Sequence, residues 1–380
     1  MAGTAYPRPA AAEDADVNAA LRQFIPIAQH FDFALVPYFW NINGITDLAS
    51  AVEVGGWALP HGGLDGGTVI LVNGAERGDP VGGELEEVAR LYPWWPNARR
   101  CQFRLRVEKL QFDLLNTEEV EFRAVPSHAD RHHANPYAAM YLRPRDLFKN
   151  LPDPDLLARI GADNPFHYAL FGRTLYRQFD NALARVTGKT FADLHTIVDW
   201  GCSSGRVARH VVNGLDRDQA FAGFDIDAAA IKWARERIGP WFWVCGQAPP
   251  LDMASAQADL VYAYSVFTHL AQAAQQPWID EIARILAPGG YFLFTILSDT
   301  AVLALSPYVG PGFLQLLLTA GIHDKSENTQ LEKIDVGGDY YRNVWMTADY
   351  INRYWGNAFE ILKIERNFHF YQDLVVCRRR

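Results

Sequence analysis

The chain has 380 residues, 49% of them hydrophobic, 13% aromatic and 21% charged, with a formal net charge of −9. At roughly 100–200 residues per domain the length predicts two domains, each able to bury its own core, and the composition is globular, not disordered. The acidic balance argues against a protein whose main work is gripping nucleic acid, because phosphate binding relies on clustered Lys and Arg. Arg378, Arg379 and Arg380 read as solvated charges. Met1 to Ala12 lacks the basic-then-apolar order of a secretory signal, and runs such as Tyr291 to Leu297 and Phe313 to Leu318 fall far below the ~20 residues of a membrane-spanning helix. Cys101, Cys202, Cys245 and Cys377 are scattered without a CxxC pair, which predicts neither a zinc knuckle nor a disulfide framework and fits a reducing cytoplasm.

In chain order, the first third alternates with a period of two. Val52 and Val54 flank Glu53; Phe103, Leu105 and Val107 alternate with Arg104 and Arg106; Val120, Phe122 and Ala124 alternate with Glu121 and Arg123. That is strand periodicity, and Asn73-Gly74 after Val69 to Val72 is a hairpin signal. The expected architecture is an N-terminal β-sandwich over residues 1–130. Gly56-Trp57-Ala58-Leu59 followed by Val69 to Gly74 resembles small β-sandwich domains attached to bacterial glycan-modifying enzymes. Trp94 and Trp95 can stack on a sugar ring or pack against the sandwich. Polar, proline-containing sequence predicts a linker over 131–160. His128, His132 and His133 lack flanking acidic or Cys ligands, so no metal site is expected.

Residues 161–380 predict helices alternating with strands, beginning with a helix over Asn164 to Val186. Such alternation implies a doubly wound, mostly parallel α/β sheet of Rossmann-like type. Its strands are predicted at Thr196 to Trp200, Ala220 to Ile226, Trp241 to Cys245, Ala258 to Ser265 and Tyr291 to Leu297. Trp278, Ile282, Ile285 and Leu286 fall on one helical stripe, ended by Pro288-Gly289-Gly290. A helix near Thr347 and an antiparallel edge hairpin of Phe359 to Ile364 with His369 to Cys377 complete the expectation.

The loop Asp199-Trp200-Gly201-Cys202-Ser203-Ser204-Gly205-Arg206 follows the first strand of that sheet. Ligands bind beyond the carboxyl ends of such strands, and Gly201 and Gly205 let a ligand approach the main chain and permit φ > 0. The same glycines also serve a bare strand-to-helix turn. A helix starting near Ser204 would offer N–H groups to a carboxylate. Asp225, 24 residues after Gly201, lies near the ~20-residue spacing of a ribose-binding acid. Asp227 fits the cap of the following helix, which leaves Asp225 for a ligand.

These residues resemble the class I S-adenosylmethionine (SAM) dependent methyltransferases, through Asp199-x-Gly201-Cys202-x-x-Gly205-Arg206, Gly223-x-Asp225-Ile226, Asp259-Leu260-Val261-Tyr262 and Leu286-Ala287-Pro288-Gly289-Gly290 in the family's order. Ser203 departs from the usual middle glycine, and Gln247 stands where an Asp is common. The resemblance implies SAM as cofactor, Ile226 packed on adenine, and Gln247 and Ala248 at its edge. Ser265-Val266-Phe267-Thr268-His269-Leu270 is similar to a segment shared by a bacterial subgroup, and so is the tail with its Gln372-Asp373 pair. That places Ser265 at the cofactor and His269 as base for the acceptor proton, or as a holder of loop backbone. The implied acceptor is a small molecule or saccharide methylated at a hydroxyl, with no nucleic-acid partner. Two alternatives stand beside this reading: a SAM-binding or glycan-binding protein without turnover, and a nucleotide-cofactor oxidoreductase, whose GxGxxG loop is not matched here.

Overall fold

The computed structural model describes residues 40–59, 68–76, 83–92, 98–109, 113, 116–126, 137–162, 164–305, 309, 312–328 and 340–380. Trp94, Trp95, His128, His132 and His133 lie outside them. No helix among the described residues is long and apolar enough to cross a membrane.

Among the described residues, eight strands form the N-terminal part: β1 (Trp40–Asp47), β2 (Ala51–Ala58), β3 (Thr68–Val72), β4 (Ala75–Glu76), β5 (Gly83–Glu84), β6 (Arg100–Glu108), β7 (Val120–Pro126) and β8 (Ala139–Leu142). They make two antiparallel sheets, ordered β1-β2-β6-β5 and β4-β3-β7-β8. Alternation sends Val52, Val54, Phe103, Leu105 and Val107 from the first sheet, and Ile70, Val72, Val120, Phe122 and Ala124 from the second, into one shared apolar cluster. Asn73 and Gly74 take φ of +50° and +77° between β3 and β4, the primed turn that an Asn-Gly pair favours.

The stretch expected to be a linker is partly sheet. Ala139–Leu142 pairs with β7, and the reason is visible only in three dimensions. The outer edge of β8 is covered by the helix Pro165–Thr187, whose Thr174 Oγ1 accepts from Tyr141 N at 2.9 Å. Gln178 Nε2 donates to the Tyr137 and Ala139 carbonyls. A short strand whose edge groups are met by side chains needs no long apolar run to persist.

That helix starts where the sequence places it. Asn164 caps it by accepting from His167 N, Pro165 occupies the first turn, and Gly188 ends it at φ +75°. Its first turns bury Ala169 and Leu170 in the N-terminal cluster, and its later turns bury Leu175, Phe179, Ala182 and Leu183 against the second sheet. One rigid element thus belongs to both cores.

Among the described residues, the C-terminal sheet has nine strands: β9 (Thr196–Trp200), β10 (Ala220–Asp225), β11 (Phe242–Val244), β12 (Ala258–Ala263), β13 (Leu286–Leu297), β14 (Ile322–Glu327), β15 (Arg342–Met346), β16 (Phe359–His369) and β17 (Gln372–Arg379). The order β11-β10-β9-β12-β13 is parallel throughout. β17 then joins β13 antiparallel, with β16 beyond it, in agreement with the expected edge hairpin. Ile197, Leu260, Tyr262 and Leu293 face the helices Pro165–Thr187 and Ala228–Arg237. Val198, Val261, Phe292 and Phe294 face the helices Gln272–Ile285 and Ala348–Trp355. Both faces are buried, so the strands read as continuous apolar runs.

Two local expectations are corrected. Leu286 is not the last member of a helical stripe: the helix ends at Ile285, and Leu286 is extended and pairs with Ala258. The helix after the glycine loop begins at Ala208, not near Ser204, because residues 203–207 form successive turns.

Since one helix serves both cores, Leu170→Ala should cost about 2–5 kcal/mol and lower the melting of both parts together. Calorimetry would check this: a separate transition, with the C-terminal part unmoved, would contradict the shared-helix account.

Candidate active site

The turn out of β9 and the end of β10 are tied together by main chain. Gly201 N and Cys202 N donate to Phe224 O at 2.8 and 3.1 Å, and Ser203 N donates to Asp225 Oδ2 at 2.8 Å. The other carboxylate oxygen of Asp225 accepts from Asp227 N at 2.8 Å. Asp225 is therefore not free of protein contacts, contrary to the expectation from sequence, although each oxygen keeps a further lone pair. Asp227 does cap its helix, accepting from Ala229 N and Ala230 N.

The two glycines are fixed by protein as much as by any ligand. Gly201 has φ +83°, and a Cβ there would stand 2.3 Å from Val266 Cγ2; Gly205 has φ +74°, and a Cβ would meet Ile238 Cδ1 at 2.5 Å. Ser203 also has positive φ, +46°, a conformation that costs a residue with Cβ about 1–2 kcal/mol. Its N–H bond to Asp225 offsets that cost. Cys202 turns its side chain into the core, so only its main chain faces outward.

The remaining residues assemble on the same edge. Cys245 N donates to Asp225 O at 2.9 Å, which carries exposed Gln247 and Ala248 past half-buried Ile226. The Gln247 carbonyl is held by Trp278 Nε1 at 3.2 Å. From β12, Ser265 sits at φ +61° with its N–H on Thr295 Oγ1 at 2.8 Å. Its Oγ lies 2.8 Å from Thr268 Oγ1 and 3.3 Å from His269 Nε2, and accepts from Gln372 Nε2 at 3.1 Å.

Burial dominates the electrostatics. Desolvation raises the Asp199 carboxyl to about 8, against the opposing bond from Tyr262 OH at 2.8 Å. Desolvation raises Asp225 to about 6, opposed by its backbone N–H bonds. His269 is lowered to about 4 by burial, with the Arg342 carbonyl partly restoring it. The imidazole stacks on Tyr341 at 4.6 Å, and Nδ1 lies 3.1 Å from Arg342 O. Nδ1 also lies 3.2 Å from Asn328 Nδ2, so a carbonyl acceptor and an amide donor both face it, while Nε2 faces the Ser265 hydroxyl, which can donate or accept.

Sequence reasoning missed the segment that holds this histidine. Arg342 N and Val344 N donate to His269 O and Thr268 O, each at 2.8 Å, and β15 touches the far end of β13 at Leu297. No motif signals this pairing across about seventy residues. His369, in the tail beside the Gln372-Asp373 pair, is placed next to the site by the structure. It is buried, with Nδ1 on Gln178 Oε1 at 2.9 Å, and desolvation and Arg206 lower it to about 3.

Residues 197–290 match a family model described as "Methyltransferase domain". Over 132 residues the chain is 27% identical to a malonyl-[acyl-carrier protein] O-methyltransferase of Enterobacter lignolyticus, covering 35% of this chain and 49% of that protein. The chain thus spans about half the length of that relative. Among solved structures, PH0226 from Pyrococcus horikoshii is 20% identical, covering 55% of this chain and 91% of that one at a TM-score of 0.38. The SAH-bound magnesium protoporphyrin IX methyltransferase of Synechocystis is 16% identical, covering 60% and 94% at 0.37. The family-model match runs from β9 into β13, the strands that carry the glycine loop and Asp225.

Asp199 gives a test of the electrostatics. A carboxyl whose folded pKa exceeds its unfolded value stabilises the fold at low pH and loses that contribution as pH rises through the folded value. From below 4 to about 8, stability should therefore fall through this group. Asp199→Asn, with an amide oxygen still able to accept from Tyr262, should match wild type near pH 4 and melt higher near pH 8.5. Parallel melting curves across that window would refute the assigned shift.

Proposed function

We propose that the chain transfers a methyl group from SAM to the hydroxyl of a small-molecule or glycan acceptor, with residues from about 161 onward forming the enzyme and the N-terminal strands a β-sandwich beside it. The observation that carries this reading is the Ser203 N–H bond to Asp225, which brings the glycine loop and the acid on the next strand to one edge. Asp225 would take the ribose hydroxyls on its remaining lone pairs, Ile226, Gln247 and Ala248 would border the adenine, and the main chain of Gly201 to Gly205 with Asp199 and Ser265 would line the rest. The antiparallel entry of β17 next to β13 departs from the 3-2-1-4-5-6 order of dinucleotide-binding sheets, which favours this reading over an oxidoreductase.

The cofactor supplies an electrophilic methyl on a sulfonium. The chain's own part is to orient an acceptor hydroxyl and to take its proton. His269 would receive that proton in its Nδ1-protonated tautomer, in which Nδ1–H donates to Arg342 O and Nε2, beside the Ser265 hydroxyl, carries the lone pair. Burial holds its pKa near 4, so the ring is neutral at physiological pH but a weak base, and it would take the proton only as the methyl–oxygen bond forms and the hydroxyl acidifies.

Titration with S-adenosylhomocysteine (SAH) tests the site. Wild type should bind, and Asp225→Ala should lose about tenfold or more. Asp225→Asn serves as a control that removes the charge but keeps an acceptor for one of the two N–H groups, Ser203 or Asp227. Equal affinity in all three would remove Asp225 from the site. With an acceptor found by a labelled-methyl screen, His269→Ala should lower kcat by about 10²–10⁴ while SAH affinity stays within about twofold. Unchanged kcat would assign His269 to loop support alone, and SAH binding without methyl transfer to any acceptor would favour a binding protein.

A further inference from the structure

Arg206 closes the glycine loop with a guanidinium that makes no hydrogen bond or ion pair among the described residues. Its stem is clamped, since a Cβ on Gly172 of the helix Pro165–Thr187 would lie 2.4 Å from Arg206 O and 3.1 Å from its Cγ. Its head sits over the Tyr264 ring at 5.3 Å. The groups that feel its charge are Tyr264, Tyr168, Asp199 and His369. Asp199 is the acidic one, and it is engaged by Tyr262 and raised to about 8, so at neutral pH it supplies little countercharge. Desolvation lowers the Arg206 pKa accordingly. A clamped, half-buried guanidinium without an anionic partner is costly, and its planar fork matches a carboxylate.

We propose that Arg206 docks the carboxylate at the methionine end of the cofactor; this rests on the methyltransferase reading above. The loop itself offers little alternative. The N–H groups of Gly201 and Cys202 are spent on Phe224 O, that of Ser203 on Asp225 and that of Gly205 on Cys202 O. The helix that follows is only Ala208–Val212. Tyr264 follows β12, on the other side of β9 from Asp225, so a ligand whose ribose meets Asp225 and which runs along the loop toward β12 would turn its opposite end to Arg206's side.

Calorimetric titration of wild type, Arg206→Met and Arg206→Lys with SAH and with 5′-methylthioadenosine, which lacks the amino-acid portion, separates the possibilities. Arg206→Met should lose about tenfold or more for SAH, as expected for a charge-assisted contact, and less than about twofold for methylthioadenosine. Arg206→Lys should fall between. Without ligand, Arg206→Met should melt no lower than wild type, because removing an unpaired buried charge relieves desolvation; a residue holding the fold would show the opposite. Equal losses for both ligands, or full SAH affinity in Arg206→Met, would overturn the assignment. Wild type that binds methylthioadenosine as tightly as SAH would also overturn it while leaving the methyltransferase reading intact. Wild type that binds neither would sink that reading itself.

Discussion

The Ser203 N–H and the Asp225 carboxylate, 2.8 Å apart, tie the turn after β9 to the tip of β10, and everything at the carboxyl edge is arranged around that tie. It anchors a non-glycine residue at positive φ, and the Asp227 N–H on the opposite oxygen fixes the carboxylate's direction. A half-buried acid with both oxygens on backbone donors is positioned before any ligand arrives, which is how a site avoids reorganising on binding. The same burial that makes these contacts strong raises the carboxyls of Asp199 and Asp225.

The N-terminal strands are more than an appendage. The helix Pro165–Thr187 divides its buried face between the two cores, and the turn between β16 and β17 makes a second bridge. Phe370 packs on the N-terminal cluster, while Tyr371 touches both the cluster around Leu59 and Cys101 and the one around Leu297 and Trp345. The residues on either side of that pair, His369 and Gln372, face Gln178 and Ser265. The position of site side chains is thus coupled to sheets far away in sequence.

Much of this was legible from residue order. The period of two in the first third, the Asn73-Gly74 turn, the Asn164-Pro165 helix start, the Asp227 cap and the parallel strand runs each depend on neighbours within a few positions, and local chemistry suffices to read them. The linker expectation failed over Ala139–Leu142 because a strand that short gains its stability from Thr174 and Gln178 on another element, and polar sequence carries no mark of that.

For the site, the sequence by itself determined which residues have the right chemistry: glycines where main chain must turn with positive φ, an acid at the end of the second parallel strand, and a histidine after the fourth. Only the tertiary structure decided how they are used. Burial shifts the protonation of Asp199 and His269, a backbone carbonyl some seventy residues away reaches the imidazole, and the bare backbone of Gly172 lets the Arg206 stem pack against the long helix. Solvent exclusion and long-range pairing are properties of the folded surface, and no stretch of sequence carries them alone.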